Sequence, residues 1–300
     1  MDGIIVIDKP EGFTSFDVVA KLRGILKTRK LGHAGTLDPM ATGVLPVLIG
    51  QATKACDILP VTDKRYTARF KLGMTTDTQD ITGTVTVERP VNVTRGEAEE
   101  AIGRFVGTIE QLPPMFSAVW KDGVRLYDLA RRGIEVERET RSVTFHSINL
   151  IDFDEQNSVC EIDVVCSKGA YIRTLCHDIG ETLGPGATLT SLIRTEAAGF
   201  TLEDALTFEQ VKAHMTAGTI GGVIMPTEAI FNMYEKVTLS ETDTVKHTNG
   251  QKVKNTFPGL FQGQIVRVFG CDGQFLSLSV LDEDGFLKVF KQFVKRDTGG

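Results

Sequence analysis

The chain has 300 residues, a formal net charge of −6, 41% hydrophobic and 24% charged residues. That composition excludes a disordered, collagenous or coiled-coil chain, and the length fits one large domain with a small one. No stretch approaches the roughly 18 consecutive apolar residues of a membrane span, so no membrane association is expected. The opening MDGIIVIDKPEG lacks a basic segment and a long apolar run, so no secretory signal is expected. The five cysteines are odd in number and form no CxxC pair, which predicts free thiols and a cytoplasmic location. The acidic total argues mildly against a nucleic-acid partner without excluding one, because binding depends on where charge is focused.

Residues 3–8 contain Ile4, Ile5, Val6 and Ile7 and predict a strand ended by Lys9-Pro10-Glu11-Gly12. Thr14 with Asp17 three residues on predicts a capped helix. Phe16, Val19, Leu22, Ile25 and Leu26 then recur at helical spacing. The run KLRGILKTRK carries Lys21, Arg23, Lys27, Arg29 and Lys30 and no acid. It reads either as a solvated helix face or as a basic patch. GHAGTLDPMATG is too rich in Gly and turn residues for a regular element, so an ordered loop is expected before the strand VLPVLIG. Tyr66, Ala68, Phe70 and Leu72 alternate with polar residues, the period of a half-buried strand.

DTQDITG reads as a loop and TVTVE as a strand. Thr94 and Glu97 form a second capping box. PPMFSAVWKDG is expected to run over the surface, followed by a short helix at 126–132 that Gly133 stops and that ends in Arg131-Arg132. RSVTFHSINLIDF and SVCEIDVVC read as strands, the second with Cys160, Ile162, Val164 and Cys166 on one face. Ile172, Leu175, Ile179 and Leu183 mark a helix, and another lies around FEQVKAHMTAG. Beyond Asn232 short strands and Gly turns dominate, with one helix at SETDTVKHT. The fold class expected is α+β with a mostly antiparallel mixed sheet and flanking helices, organised as residues 1–232 and a small β-rich unit at 233–300.

Several chemistries have no motif here: GxGxxG, Walker A, HExxH and GxSxG are all missing from the sequence. His33, His146, His177, His214 and His247 show no metal-ligand spacing. Asp77 and Asp80 in DTQD lack the other ligands of a calcium loop. No cofactor or metal is therefore expected. What remains is the loop Gly32 to Gly43, which crowds His33, Thr36 and Asp38 together after a basic helix. Asp38 before Pro39 reads locally as a helix N-cap. It reads equally as a carboxylate placed in a concave site.

GHAGTLDPMATGVLPV closely resembles the signature loop of the TruB family of tRNA pseudouridine synthases. The resemblance continues through DKPEGFTSFDVV, KRYTARFKLGMTTDTQDITG, PPMFSAVWKDGVRLYDLARRG, SKGAYIRTLCHDIGETLG and SLIRTEAAGF, covering residues 3–230 in order. The end of the chain is more weakly similar to the family's small PUA-type domain.

The resemblance implies a pseudouridine synthase fold. It also implies isomerisation of uridine 55 in the tRNA T loop to pseudouridine, without cofactor or guide RNA. Asp38 stands in the place of the catalytic carboxylate, and the atom it attacks is left open between ribose C1′ and uracil C6, with ribose proton removal a third course. Tyr66 and Arg173 stand in the other catalytic places. Leu192 matches an apolar position against the base, and His33 a histidine that helps displace a base otherwise stacked in the T loop. Lys21, Arg23, Lys27 and Lys30 are candidate phosphate contacts. An always-charged guanidinium suits a carboxylate that must stay ionised. A monomer with no obligate protein partner is expected, its partner being the tRNA T arm. Two other readings are a non-catalytic RNA-folding protein and a guide-dependent relative; the intact Asp38, Tyr66 and Arg173 argue against the first.

Overall fold

The computed structural model describes residues 1–294; residues 295–300, the end of the expected 233–300 unit, lie outside the described residues. The chain begins with β1 (Gly3–Lys9), whose uninterrupted apolar run is buried on both faces. Helix α1 (Ser15–Leu26) follows, and its N-terminus carries the predicted capping box: the Thr14 hydroxyl accepts from the Asp17 amide while the Asp17 carboxylate accepts from the Thr14 amide. The buried face of α1 is Val18, Val19, Leu22 and Leu26. Phe16, expected in that stripe, is 63% exposed. It sits roughly 100° around the helix from the centre of the buried face, and Val18 takes its place.

Next come β2 (Leu31–His33), β3 (Thr42–Ile49), β4 (Lys64–Leu72) and a small hairpin, β5 (Met74–Thr76) with β6 (Val85–Glu88). Helix α2 (Arg95–Gly103) starts at the predicted Thr94–Glu97 box and leads to β7 (Gly107–Gln111). A two-residue-strand hairpin, β8 (Trp120–Lys121) and β9 (Val124–Arg125), precedes α3 (Leu126–Ala130). Then follow β10 (Arg141–Asp154), β11 (Val159–Cys166), α4 (Ile172–Leu183), β12 (Ala187–Ala197), β13 (Phe200–Thr201) and α5 (Phe208–Ala217).

These strands form one mixed sheet in the order β1-β3-β12-β4-β11-β10-β7, with β2 on β3 and β13 on β12. Every pairing is antiparallel except β3 with β12. Strand β12, the one long element not foreseen from the sequence, lies in the middle. ATLTSLIRTEA shows no clean alternation because the strand is bulged at two places in its pairing with β4 and sets the charged Arg194 on the buried face while Ile193 is only partly buried. Helices α2 and α4 pack with the β4–β10–β11–β12 side in the largest apolar core, while α1 and α5 cover β1 and β3.

The remaining residues build a second sheet from β14 (Glu235–Thr238), helix α6 (Glu241–Thr248) beside it, then β15 (Val253–Lys254), β16 (Ile265–Phe269), β17 (Phe275–Leu281) and β18 (Phe286–Gln292). It docks on the first sheet through one shared cluster. Phe231, Phe269, Phe275 and Phe293 meet Ile4, Val6, Val44 and Leu48. A fully buried Phe contributes about 1.5–3 kcal/mol, so this seam fixes the small sheet firmly. At its edge Lys54 donates to the Gln292 carbonyl at 2.9 Å, and Lys291 pairs with Asp57 at 2.7 Å.

His247 is buried inside the second sheet, with Nε2 2.7 Å from the Ser277 hydroxyl and 3.3 Å from that of Ser279. Burial lowers its pKa from 6.5 to about 4. The folded state thus prefers neutral His247. Its contribution to stability is complete above pH 6.5, falls as the pH drops toward 4, and is gone below that. The loss amounts to about 3 kcal/mol. In His247→Gln this component of the acid destabilisation should vanish. Urea unfolding of both proteins between pH 7 and 4 measures it, and equal slopes in the two would exclude the assignment.

Candidate active site

The carboxylate of Asp38 depends on a loop with no regular hydrogen bonding of its own. Three groups outside the loop hold it. The Ser15 hydroxyl accepts from the Leu37 amide at 2.8 Å. Lys9, wholly buried, donates to the carbonyls of Phe13 at 2.6 Å, Pro10 at 3.0 Å and Pro39 at 3.2 Å. Arg194 donates to the carbonyls of Gly35 at 3.2 Å and Thr36 at 3.3 Å. The Asp38 carbonyl accepts from the Ala41 amide at 3.1 Å, which closes a turn. Asp38-Pro39 therefore starts no helix, and the N-cap reading is set aside, because the chain turns directly into β3. At that turn Gly43 has φ +97°, and a Cβ there would collide with the Arg194 carbonyl oxygen, so only glycine lets β3 approach β12.

Arg173, at the start of α4, reaches Asp38 from the opposite side. Its Nε lies 2.9 Å from Asp38 Oδ2, and Nη2 donates to Oδ1 at 3.3 Å. Nη1 donates to the Thr78 carbonyl at 3.0 Å and lies 3.3 Å from Asp80 Oδ2. Nη2 also donates to the Phe116 carbonyl at 2.9 Å. That last contact corrects the expectation for PPMFSAVWKDG, residues 113–123. The segment does not simply run over the surface: Pro113, Pro114 and Ser117 are buried, since the Phe116 carbonyl and the Gln111 amide, which clasps the Tyr171 backbone, draw it inward. Asp80 is itself fully engaged, accepting from the Thr78 hydroxyl at 2.9 Å and the Thr82 amide at 3.0 Å.

One buried guanidinium is thus shared by two carboxylates. The Asp38 side chain keeps 34% of its surface open, whereas Asp80 is closed off. Burial raises the Asp38 carboxyl above the usual carboxylate range; Arg173 pulls it back down, and Asp80 pushes it up.

Tyr66 and Leu192 supply the adjoining wall. Tyr66 on β4 stands directly across from Arg194 on β12, and Leu192 across from Ala68. Both belong to the apolar cluster that includes Leu37, Met40 and Ala41 of the loop. Burial lifts the Tyr66 phenol to about 12, with the Arg194 charge opposing. His33 ends β2 and is half-buried; burial lowers its pKa, so the ring is neutral near pH 7. No hydrogen bond joins it to Asp38 among the described residues.

The structure therefore brings Asp38, Tyr66, Arg173 and Leu192 together, and does not bring the basic helix residues to them. Lys21 lies over the rings of Phe208 and Phe13, at 4.0 and 4.8 Å, and Arg23 lies beside the Phe16 ring at 5.7 Å. Lys27, Arg29 and Lys30 are the exposed cations, at the turn that ends α1. Three residues of the site escaped the sequence reading: Lys9, Asp80 and Arg194. Each is a charge set within or beside an apolar or turn pattern, and their shared signal is that such a charge needs a buried partner. Among the described residues no group of three or more His, Cys, Asp or Glu side chains is placed to hold a metal ion.

Comparison with known proteins follows this geometry. Residues 23–172 match the N-terminal domain of the TruB family pseudouridylate synthases, 173–232 match a tRNA pseudouridylate synthase B C-terminal domain, and 236–289 match the C-terminal region of pseudouridine synthase II TruB. A tRNA pseudouridine synthase B of Azoarcus sp. (strain BH72) is 45% identical over 299 residues, covering 100% of this chain and 97% of its own. One from Clostridium perfringens (strain 13 / Type A) is 44% identical over 290 residues, covering 95% and 97%. Among solved structures, a chain of a Cbf5-Nop10-Gar1 complex superposes with a TM-score of 0.73 at 26% identity, covering 98% of this chain and 86% of that one.

The electrostatics of the site make a signed prediction. In Arg173→Met the Asp38 carboxyl should titrate at higher pH than in the wild type, because the opposite charge is gone. In Asp80→Asn it should titrate at lower pH, because a like charge is gone. Carbon-13 titration of the Asp38 carboxyl, identified by its absence in Asp38→Asn, measures both. Movement of either midpoint the other way would refute the shared-guanidinium account.

Proposed function

The chain belongs to the TruB family of pseudouridine synthases, and we propose that it converts uridine 55 in the T loop of tRNA to pseudouridine, without a guide RNA, with Asp38 as nucleophile. The observation that carries this reading is the half-open Asp38 carboxylate held against buried Arg173 beside the wall of Tyr66 and Leu192. The reaction is an isomerisation: the C1′–N1 bond breaks, a C1′–C5 bond forms, C5 releases a proton and N1 gains one. Nothing is oxidised and no group is donated from outside, so side chains suffice.

In this reading Arg173 keeps Asp38 ionised and aims it, which its planar fork does better than a lysine ammonium could. Tyr66 and Leu192 flank the extruded base, and the Tyr66 hydroxyl handles a proton. His33, neutral and at the rim, assists the base in leaving its stack, a step costing a few kcal/mol. Lys27, Arg29 and Lys30 supply phosphate contacts on a chain whose total charge is acidic. A second surface supports an RNA partner. Arg125 lies over the rings of Trp120 and Tyr127, at 5.0 and 5.9 Å, and Arg131 over Tyr127 at 5.5 Å. Cations alternating with an exposed Trp120 suit both phosphates and base faces. Identity of 44–45% to tRNA pseudouridine synthases B, against 26% to the chain of the Cbf5 complex, favours tRNA as the substrate.

Incubation with an unmodified tRNA transcript, without guide RNA, nucleotide or metal, should yield pseudouridine at position 55 by chemical mapping. Asp38→Asn should form none while binding tRNA within about tenfold of wild type, because phosphate and shape contacts dominate affinity. Normal turnover by Asp38→Asn would end this assignment. Separately, Lys27→Glu with Lys30→Glu should weaken tRNA binding and make its salt dependence shallower, by up to about one unit of slope per lost contact. An unchanged slope in the folded variant would move the RNA footprint off this turn.

A further inference from the structure

Arg194 is the largest of the wholly buried side chains, yet its neighbours include no carboxylate among the described residues. Burying a charge without a counter-ion is costly, and a chain tolerates it only where every donor is used. Here Nε donates to the Val44 carbonyl at 2.8 Å, Nη1 to Thr36 at 3.3 Å and Nη2 to Gly35 at 3.2 Å. Those three carbonyls bracket Asp38 in sequence. Arg194 is also the cross-strand neighbour of Tyr66, so both buried side chains stand on the same face of the sheet. The backbone adds to this tie, since Arg194 pairs with Gly43 at the parallel junction of β3 and β12.

A neutral side chain could satisfy carbonyls at less cost. What it could not do is place a fixed positive charge beside the Tyr66 phenol on the same face of the sheet. We propose that Arg194 is a positioning residue that joins the Asp38 loop to Tyr66 and biases the Tyr66 oxygen to accept the proton released from uracil C5. This rests on the reading of the chain as a pseudouridine synthase with Asp38 and Tyr66 at the reacting base. The step balances. The C5–H bond breaks and its electron pair restores the ring after the C1′–C5 bond has formed. The proton goes to the Tyr66 oxygen, whose own proton has passed to N1.

The surroundings of the phenol agree with this role. Burial raises its pKa, Cys166 and Asp38 push it further up, and Arg194 is the charge that pulls it down.

The test compares Arg194→Gln with wild type in the full chain, by single-turnover pseudouridine formation on a tRNA transcript, tRNA affinity and melting temperature. Arg194→Gln should slow the single turnover about 100-fold with affinity within about threefold. An ortho-fluorinated tyrosine at position 66, whose phenol is more acidic, should recover about tenfold of that loss, and should recover nothing in Asp38→Asn. A rate loss that the fluorinated residue does not relieve, or no rate loss at all, overturns the proposal and leaves Arg194 a clamp only. If Arg194→Gln does not fold, Arg194→Lys keeps the charge but cannot reach the same acceptors. The carbon-13 signal of Tyr66 Cζ, identified by its absence in Tyr66→Phe, should then move relative to wild type, and an unmoved signal overturns the proposal. Failure of the underlying reading looks different: wild type forms no pseudouridine, or Asp38→Asn remains active.

Discussion

The guanidinium of Arg173 is the interaction on which the site depends. It is buried at the start of α4 and reaches three segments distant in sequence, at Asp38, at Thr78 and Asp80, and at Phe116. A buried cation shared between two carboxylates also needs its terminal donors engaged, and here Nη1 and Nη2 each donate to a backbone carbonyl, of Thr78 and Phe116. Removing any one partner would leave a charge or a carbonyl uncompensated. The same arrangement leaves Asp38 partly open while Asp80 is closed, so one carboxylate can meet a substrate and the other only holds the arginine.

Two further buried cations explain how an irregular loop can present a carboxylate in a fixed place. Within the loop the Pro39 carbonyl accepts from Lys9, and those of Gly35 and Thr36 accept from Arg194. Burial pushes the Lys9 amine down to about 8, with Asp38 acting against that fall. Positive charge is therefore concentrated around Asp38 in a chain that is acidic as a whole, and the total charge says little about the local field.

The second sheet is joined to this framework by an aromatic seam rather than by a flexible tether. Phe231 lies at its centre, against Tyr234, Phe275 and Phe293. Through Ile4, Val6, Val44 and Leu48 the seam touches β3, which follows the Asp38 loop, and β1, which ends in the Lys9 that holds it. The small sheet thus shares a core with the elements that position the site.

The amino-acid sequence alone determined the elements whose signals are local. Capping boxes at Thr14 and Thr94, the alternation from Tyr66 to Leu72 and from Cys160 to Cys166, and the glycine-rich loop around Asp38 all depend on residues a few places apart. A family resemblance in the order of its motifs singled out Asp38, Tyr66, Arg173 and Leu192, which the fold then brings to one place. Only the tertiary structure decided the rest. β12 is bulged twice and buries the charged Arg194, so its pattern carries no simple period. Phe16 points to solvent because the helix rotates to bury Val18. Lys21 stacks on Phe13 and Phe208, rings that α1 meets only after folding. Lys9, Asp80 and Arg194 take their roles from partners up to 159 residues away. Such partners are chosen by the need to satisfy buried charge, and sequence spacing does not encode that need.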